Sequence, residues 1–173
     1  MCYKYDIRQH IFGGENREET GVDPHRWIGG QASRKCLLHA IEIQQLAAQM
    51  PLGVAHDEQL PGALFAIATT YSSFALAGKP KVIIPSSTDW DTLLFSELEE
   101  VPSRREMAGG NTNMNNTIRF LGGEENVLEA DCEARNLLYE LGSIRILLRG
   151  LSYQWGVAQE MEEVVGAWIM RCE

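Results

Sequence analysis

Two side chains that could ligate a metal, or act as a nucleophile with its base, lie three residues apart at Cys36 and His39. Residues three apart are neighbours on a helix, so a thiol and an imidazole at this spacing could touch. A structural zinc ion needs four such ligands, and no other Cys or His stands at ligand spacing from this pair. Because Cys36 also falls on an apolar stripe, we interpret it as a packed structural cysteine.

Acidic and glycine-rich clusters offer three further candidate sites. The run at residues 56–58, His-Asp-Glu, is interpreted as a solvated loop, because three consecutive side chains cannot all point one way. Glu160 and Glu163, with Glu162 beside them, are interpreted as the solvent-facing side of the last helix. Residues 122–125, GGEE, lack the glycine offsets of a phosphate loop or dinucleotide fingerprint. We therefore predict no catalytic, cofactor-binding or metal-ligating residue, leave any binding residues unassigned, and do not expect an enzyme.

Length and composition limit the class of protein. The chain has 173 residues, 45% apolar and 23% charged, which is typical of one globular domain. Its net charge of −9 argues against a bare nucleic-acid-binding module, and the basic clusters at residues 34–35 and 104–105 are short. The four cysteines form no CxxC pair, which indicates reduced thiols. With no apolar run of about 18 residues and no signal-peptide pattern, we predict an intracellular, soluble chain.

Apolar residues recur at steps of three and four through residues 137–169, which predicts two helices in series. Gly150 and Gly156 interrupt the pattern and predict a kink or break between them. Earlier helices are predicted at residues 27–50, with Asp23 as cap and Pro24 in the first turn, at 62–76 and at 90–101. The helix at 62–76 is apolar nearly all round, so we expect it to be central and buried.

The remaining segments are predicted to be irregular. Residues 1–22 form a polar N-terminal segment, and residues 102–123 form a long mobile loop rich in asparagine and glycine. Residues 81–85 are apolar but have no evident partner strand, so they are predicted as a connector, and residue 124 or 125 begins the last helical region. The predicted fold is all-α: a compact helical regulatory domain at 23–173, of about five or six helices with one long polar loop.

A core can be assigned from the same patterns. Its predicted members are the large apolar residues on the inward faces of the helices: Trp27, Leu37, Ile41, Leu64, Phe65, Trp90, Leu141, Ile144, Leu148, Trp155, Met161 and Trp168.

Several segments carry a resemblance to a known family. RW at 26–27, CLLHAIEIQ at 36–44, MPLG at 50–53, LPGALF at 60–65 and LSYQWGVAQEMEEV at 151–164 together resemble the fungal-specific transcription factor domain. That domain is a helical regulatory region that lies C-terminal to a zinc-cluster or two-Cys-two-His zinc-finger DNA-binding region. The chain has no cysteines or histidines in those patterns, so the resemblance implies a fragment without the DNA-binding part.

The resemblance implies a nuclear regulatory role through protein or effector contacts. The implied partners are proteins of the transcription machinery or an upstream DNA-binding region of the same gene product, with a homodimer as a further possibility. Zinc is expected only in that upstream region; this chain is expected to use no cofactor, bind no nucleic acid directly and contact no membrane. Two alternatives remain open: a small helical ligand-binding protein that uses the apolar helix at residues 62–76, and a helical enzyme in which Cys36 and His39 converge.

Overall fold

Seven helical segments and two short strands follow one another in the residues that the computed structural model describes, which are 24–50, 58–95, 112–123 and 131–172. In chain order they are α1 Pro24–Gly29, α2 Gln31–Gln49, α3 Leu60–Leu76, β1 Lys81–Pro85, α4 Trp90–Phe95, α5 Thr112–Gly122, β2 Cys132–Asn136, α6 Leu137–Leu151 and α7 Gly156–Cys172. Five of these helices are eleven residues or longer. The prediction of a mostly helical domain is confirmed, while the predicted segment at residues 1–22 lies outside the described residues.

The predicted helix at residues 27–50 is divided at Gly29-Gly30, where α1 ends and α2 follows. Gly30 is extended, and its N–H donates to the Trp27 carbonyl at 2.9 Å. The Ser33 hydroxyl donates to the Ile28 and Gly30 carbonyls, which fixes the angle between the two helices. Helix α2 then ends just before Pro51, whose ring disfavours a helical conformation in the residue that precedes it.

Helix α3 is the centre of the fold, as its apolar composition predicted. It packs against α2, α6 and α7, and its buried side chains include Leu64, Ile67, Tyr71 and Phe74. Four Thr and Ser residues at positions 69, 70, 72 and 73 would be costly in such a helix if their hydroxyls lacked partners. Each donates instead to a carbonyl three or four residues earlier, so the helix satisfies its own polar side chains.

Helices α6 and α7 are the two helices in series that the periodicity of residues 137–169 predicted. The Asn136 side chain accepts a hydrogen bond from the Leu138 N–H at 3.1 Å and caps α6. A turn at 152–155 separates the two helices where the glycines predicted a break. The Trp168 ring is fully buried and stacks on Phe65 with ring centroids 5.4 Å apart. The buried face of α6 comprises Leu137, Leu141, Ile144, Leu148 and Leu151.

The prediction that residues 81–85 are irregular was wrong. They form β1, which pairs antiparallel with β2, with Lys81 opposite Asn136 and Pro85 opposite Cys132. The partner strand was assigned to the last helical region because its sequence, CEARN, carries the charged residues Glu133 and Arg135 and shows no apolar alternation. A two-stranded ribbon can accept such a strand, because neither of its edges is enclosed by further strands.

The predicted loop at residues 102–123 was wrong over its second half, where α5 spans Thr112–Gly122. Asparagine and threonine are poor helix formers, so propensity alone argues against this helix. Tertiary contacts override it, because Asn116, Thr117 and Leu121 are buried. The Thr117 hydroxyl also accepts a hydrogen bond from the Asp89 N–H at 3.0 Å, just ahead of α4. Residues 96–111 lie outside the described residues, as do the end of the predicted helix at 90–101 and the first half of the loop.

The predicted core is largely confirmed. Seven of its members are buried, namely Leu37, Ile41, Leu64, Leu141, Ile144, Leu148 and Trp168. The other five are partly buried and pack against the core, namely Trp27, Phe65, Trp90, Trp155 and Met161.

The predicted apolar stripe on α2 is confirmed only in part, because Ala40 and Ala47 are buried but its other members are not. Its predicted members were Cys36, Ala40, Ile43, Ala47 and Met50, widened by Leu37, Ile41 and Ala48. Cys36, Ile43 and Met50 are exposed, whereas the buried face runs through Leu37 and Ile41 and includes two polar residues at 33 and 44. Those polar side chains interrupt the apolar pattern on the face that is truly buried. Their burial depends on hydrogen-bond partners elsewhere in the fold, which a local pattern does not reveal.

Candidate ligand-binding site

A cavity of about 290 Å³ opens where α1, α2, the end of α3, β1 and α5 meet. Its floor is apolar and buried, since Ile28, Leu37 and Phe74 are each less than 5% exposed. Its volume lies at the small end of the range for small-molecule pockets. The complete lining comprises Ile28, Arg34, Leu37, Phe74, Gly78, Lys79, Lys81, Val82, Ile83, Phe120 and Gly123.

The turn after α3 places Lys79 at the mouth of this cavity. Gly78 has a φ of +82°, a conformation that strains any residue with a side chain. Its N–H donates to the Ala75 carbonyl at 3.0 Å, and the Lys79 N–H donates to the Phe74 carbonyl at 3.0 Å. This pair of bonds is the Schellman ending of a helix, and it satisfies two carbonyls that the helix cannot pair itself. The chain is thereby turned sharply toward β1.

Strand β1 carries the second lysine past the same opening. The Pro80 carbonyl accepts a hydrogen bond from the Leu137 N–H at 2.8 Å, so the turn is tied to the start of α6. Lys81 begins the strand, pairs in register with Asn136, and is exposed. Both ends of the Lys79–Lys81 segment are therefore held by backbone hydrogen bonds, and both residues are exposed.

Arg34 closes the opposite side of the cavity. Its guanidinium donates from Nη1 to the Leu121 carbonyl at 3.0 Å, near the C-terminal end of α5. A positive charge is favourable there because the carbonyls at a helix C-terminus carry partial negative charge. Gly123, with a φ of +85°, lets the guanidinium lie close, since a Cβ at that residue would stand 2.6 Å from its nitrogens. Arg34 thus joins α2 to α5.

The electrostatic character of the cavity is opposite to that of the chain. The chain carries 24 Asp and Glu residues against 15 Lys and Arg. Three of those basic residues line the cavity, and its lining contains no Asp or Glu among the residues that the structure describes. An anionic group at this opening is attracted by nearby positive charges, although the net charge of −9 opposes its long-range approach.

The structure does not support the interpretation of Cys36 as a packed residue, because Cys36 is exposed. His39 is also exposed, and its ring contacts the indole of Trp90 with centroids 5.2 Å apart. Neither side chain lines the cavity. Among the described residues, no group of three or more His, Cys, Asp or Glu is placed to hold a metal ion.

The predicted acidic face of α7 holds for Glu160 and Glu163, which are exposed, but not for Glu162. The Glu162 carboxylate is buried against α6 and accepts hydrogen bonds from Arg145 Nε at 2.6 Å and Arg149 Nη2 at 2.7 Å. The hydrogen bond from Arg149, followed by the bond and charge of Arg145, lowers the Glu162 pKa against the opposing effect of burial. Glu58 of the predicted 56–58 loop is exposed, and residues 56–57 lie outside the described part of the chain.

A second polar chain crosses the core. The Tyr71 hydroxyl donates to Gln44 Oε1 at 2.7 Å, and Gln44 Nε2 donates to Glu140 Oε2 at 2.6 Å. The other Glu140 oxygen accepts from Arg135 at 3.3 Å, so the chain joins α3, α2, α6 and β2. Burial, together with the Glu140 charge, raises the Tyr71 pKa, so this phenol stays protonated. We interpret this network as structural because it lies away from the cavity lining.

The alternative interpretation placed a ligand pocket on the helix at residues 62–76. From that range Phe74 lines the cavity, whereas Leu64, Ile67 and Tyr71 pack into the core. The sequence signal for the cavity is weak, because Gly78-Lys79-Pro80 is a typical end to the predicted helix at residues 62–76, and Arg34 belongs to the short basic cluster at residues 34–35. None of these features indicates a pocket until the fold brings them together.

Comparison of the chain with protein families, with curated proteins and with solved structures finds no match. The resemblance to the fungal-specific transcription factor domain therefore rests on the quoted segments alone. In the described part of the chain, no helix has both the length and the apolar content that a membrane crossing requires.

Proposed function

We propose that this chain is a regulatory domain of a fungal transcription factor that binds a small effector in the cavity and acts through a protein partner, without reading DNA itself. The transcriptional role and the nuclear address follow from the resemblance. The effector site follows from the geometry of the cavity.

The observation that carries the proposal is the position of the cavity at a junction. Arg34 and Leu37 come from α2, Phe74 from α3, Val82 from β1 and Phe120 from α5. An occupant that touches all four elements stabilises the arrangement in which they meet. A ligand that binds one arrangement better than another shifts the population toward it, which is what effector control requires.

The net charge of the chain supports assigning regulation to this domain and DNA binding to another region. Affinity for a duplex depends largely on neutralising phosphates with Lys and Arg, and the net charge of −9 works against this. A cavity of about 290 Å³ accepts a small molecule but not a strand of nucleic acid. The proposal accordingly leaves DNA recognition to an upstream region of the same gene product.

A reporter assay tests the transcriptional role. The chain is fused to an unrelated DNA-binding domain and its effect on a reporter is measured in fungal cells, beside a Val82→Phe variant that fills the cavity. We expect the chain to change reporter output and the variant to alter that change. Val157→Phe makes the same exchange at an exposed residue outside the cavity lining, so it is the matched control for the added ring. A fusion that leaves the reporter unchanged, with expression verified, contradicts the transcriptional role.

A second candidate function is that of a ligand-binding protein unrelated to transcription. The cavity favours it independently of the resemblance, because an apolar floor with convergent polar groups is the usual form of a small-molecule site. Cavity-dependent ligand binding combined with an inactive reporter fusion would select this candidate.

A further inference from the structure

We propose that the cavity is selective for an amphipathic organic anion, whose apolar body lies on the floor and whose carboxylate or phosphate group lies at Lys79 and Lys81. This inference rests on the proposed function of the cavity as an effector site and specifies the chemical class of the effector.

The floor sets the apolar half of the ligand. Ile28, Leu37 and Phe74 are buried, and Val82 and Phe120 are partly buried around them. Burying apolar ligand surface against such a floor favours binding through the hydrophobic effect. A volume of about 290 Å³ corresponds to roughly ten water molecules, so it fits an apolar body of roughly ten non-hydrogen atoms.

The opening sets the charged half. Lys79 and Lys81 are exposed, are separated by one residue and are held by the turn and the strand. An ammonium presents three hydrogen-bond donors, so Lys81 can bind an oxygen of a carboxylate or phosphate. Lys79, which already takes part in another interaction, adds positive charge beside it. Hydrogen bonds between charged groups are stronger than those between neutral groups, so an anion gains more here than an alcohol.

Arg34 acts on the site as a positioning residue. One of its N–H groups already donates to the Leu121 carbonyl, and Gly123 allows the guanidinium to stay close to α5. It therefore holds Phe120 and the end of α5 against α2 while adding positive charge to the cavity wall. A ligand cation would face Arg34, Lys79 and Lys81 together, with no lining carboxylate among the described residues to offset them.

Four probes of equal chain length test the charge selectivity: octanoate, octyl phosphate, octanol and octyltrimethylammonium, with inorganic phosphate alone as a fifth. Binding to the full chain is measured by calorimetry at low salt and at about 0.15 M salt. We expect saturable binding of octanoate, octyl phosphate or both, at least tenfold tighter than that of octanol, and weaker at the higher salt because of screening. Octyltrimethylammonium and inorganic phosphate should show no saturable binding.

Matched variants locate the site. Lys79→Gln and Lys81→Gln should each weaken binding of the anionic probe by about 1.5- to fivefold, which is the range that an exposed ion pair contributes. Lys35→Gln removes the same charge from a residue that does not line the cavity, and it should leave the affinity unchanged. Val82→Phe should abolish binding, and a thermal melt of each variant confirms that it is folded.

Other outcomes overturn the inference and separate it from the proposed function. Octanol that binds as tightly as octanoate refutes the anionic class, although the cavity would remain an effector site if Val82→Phe still abolished binding. An equal loss in Lys35→Gln and Lys81→Gln refutes this location for the anion. A reporter that is unaffected by Val82→Phe, while octanoate binds as expected, refutes the regulatory function and leaves the anion site standing.

Discussion

Replacing Glu162 by Gln tests whether α7 is joined to α6 by charge as well as by apolar packing. One carboxylate oxygen, Oε1, accepts from both Arg145 and Arg149, which lie one turn apart on α6. The amide keeps the size of the side chain and one acceptor oxygen, but it removes the negative charge. The variant therefore isolates the charge of the interaction from its shape.

The expected cost follows from how much water reaches the three side chains. Glu162 is 12% exposed, whereas Arg145 is 40% and Arg149 is 65% exposed. Hydrogen bonds to charged groups contribute about 1.5–3 kcal/mol when buried, but exposed ion pairs contribute about 0–1 kcal/mol. Because Arg149 is largely solvated and Arg145 is partly solvated, we expect a combined loss of about 1–2 kcal/mol at neutral pH. For a domain of this size that lowers the Tm by about 2–8 °C.

The same contacts predict a pH dependence of known sign. Because the folded-state pKa of Glu162 is lowered, its contribution is fully present above the unfolded pKa of about 4.3. The contribution is lost as the pH falls through the folded pKa, where the carboxylate becomes protonated in both states. The stability difference between the wild-type chain and Glu162→Gln should therefore be constant near neutrality and shrink below about pH 4.

Chemical denaturation followed by circular dichroism measures both effects. Glu163→Gln is the matched control, because it removes the same charge from an exposed neighbour on the same helix. We expect the control to change the free energy of unfolding by less than about 0.5 kcal/mol. If the two variants cost the same at neutral pH, or if the Glu162→Gln difference persists unchanged into acid, the arginine contacts do not stabilise the fold.

Further predictions concern the buried core, the turn at Gly78, the Tyr71 hydrogen bond, and the binding of zinc and DNA. Ile144→Ala should cost about 2–5 kcal/mol in denaturant titration, because Ile144 is fully buried, while Ile146→Ala on the exposed face should be nearly neutral. Gly78→Ala should lower stability by about 1–2 kcal/mol through its positive φ, and an unchanged Tm would refute the turn geometry. Tyr71→Phe should cost about 1–3 kcal/mol by leaving Gln44 Oε1 without its donor, measured in the same titration. The purified chain should carry no stoichiometric zinc by elemental analysis and show no duplex retention in gel shift at about 0.15 M salt.

Helices whose buried faces are purely apolar could be predicted from the sequence. Leu141, Ile144 and Leu148 follow one another at helical spacing, and all three are fully buried. The same reasoning missed part of the buried face of α2, where Gln44 is buried because Tyr71 and Glu140 supply its hydrogen bonds. A periodicity argument assigns such a residue to solvent, since its partners lie 27 and 96 residues away.

Elements that owe their conformation to distant contacts could not be predicted. Residues 81–85 were predicted to be irregular because no partner strand was evident: the segment that pairs with them is charged and begins 47 residues after Pro85. Helix α5 is rich in asparagine, and its conformation is supported by the burial of Thr117 and Leu121 and by the bond from Asp89. In both cases local propensity was weak and tertiary contact decided the outcome.

The candidate site could not be predicted from the sequence either, because its lining residues come together only in the folded chain. In the sequence, its two lysines flank Pro80 just after a helix. Arg34 is one half of the short basic cluster at residues 34–35. A net charge of −9 describes the whole surface, whereas a ligand responds to the charges within about one Debye length, roughly 8 Å at physiological salt. The fold gathers three cations at one opening over an apolar floor and leaves carboxylates out of the described lining. A chain that repels polyanions as a whole can therefore still select a small anion, because selection depends on the few charges that the turn after α3, strand β1 and helix α2 place together.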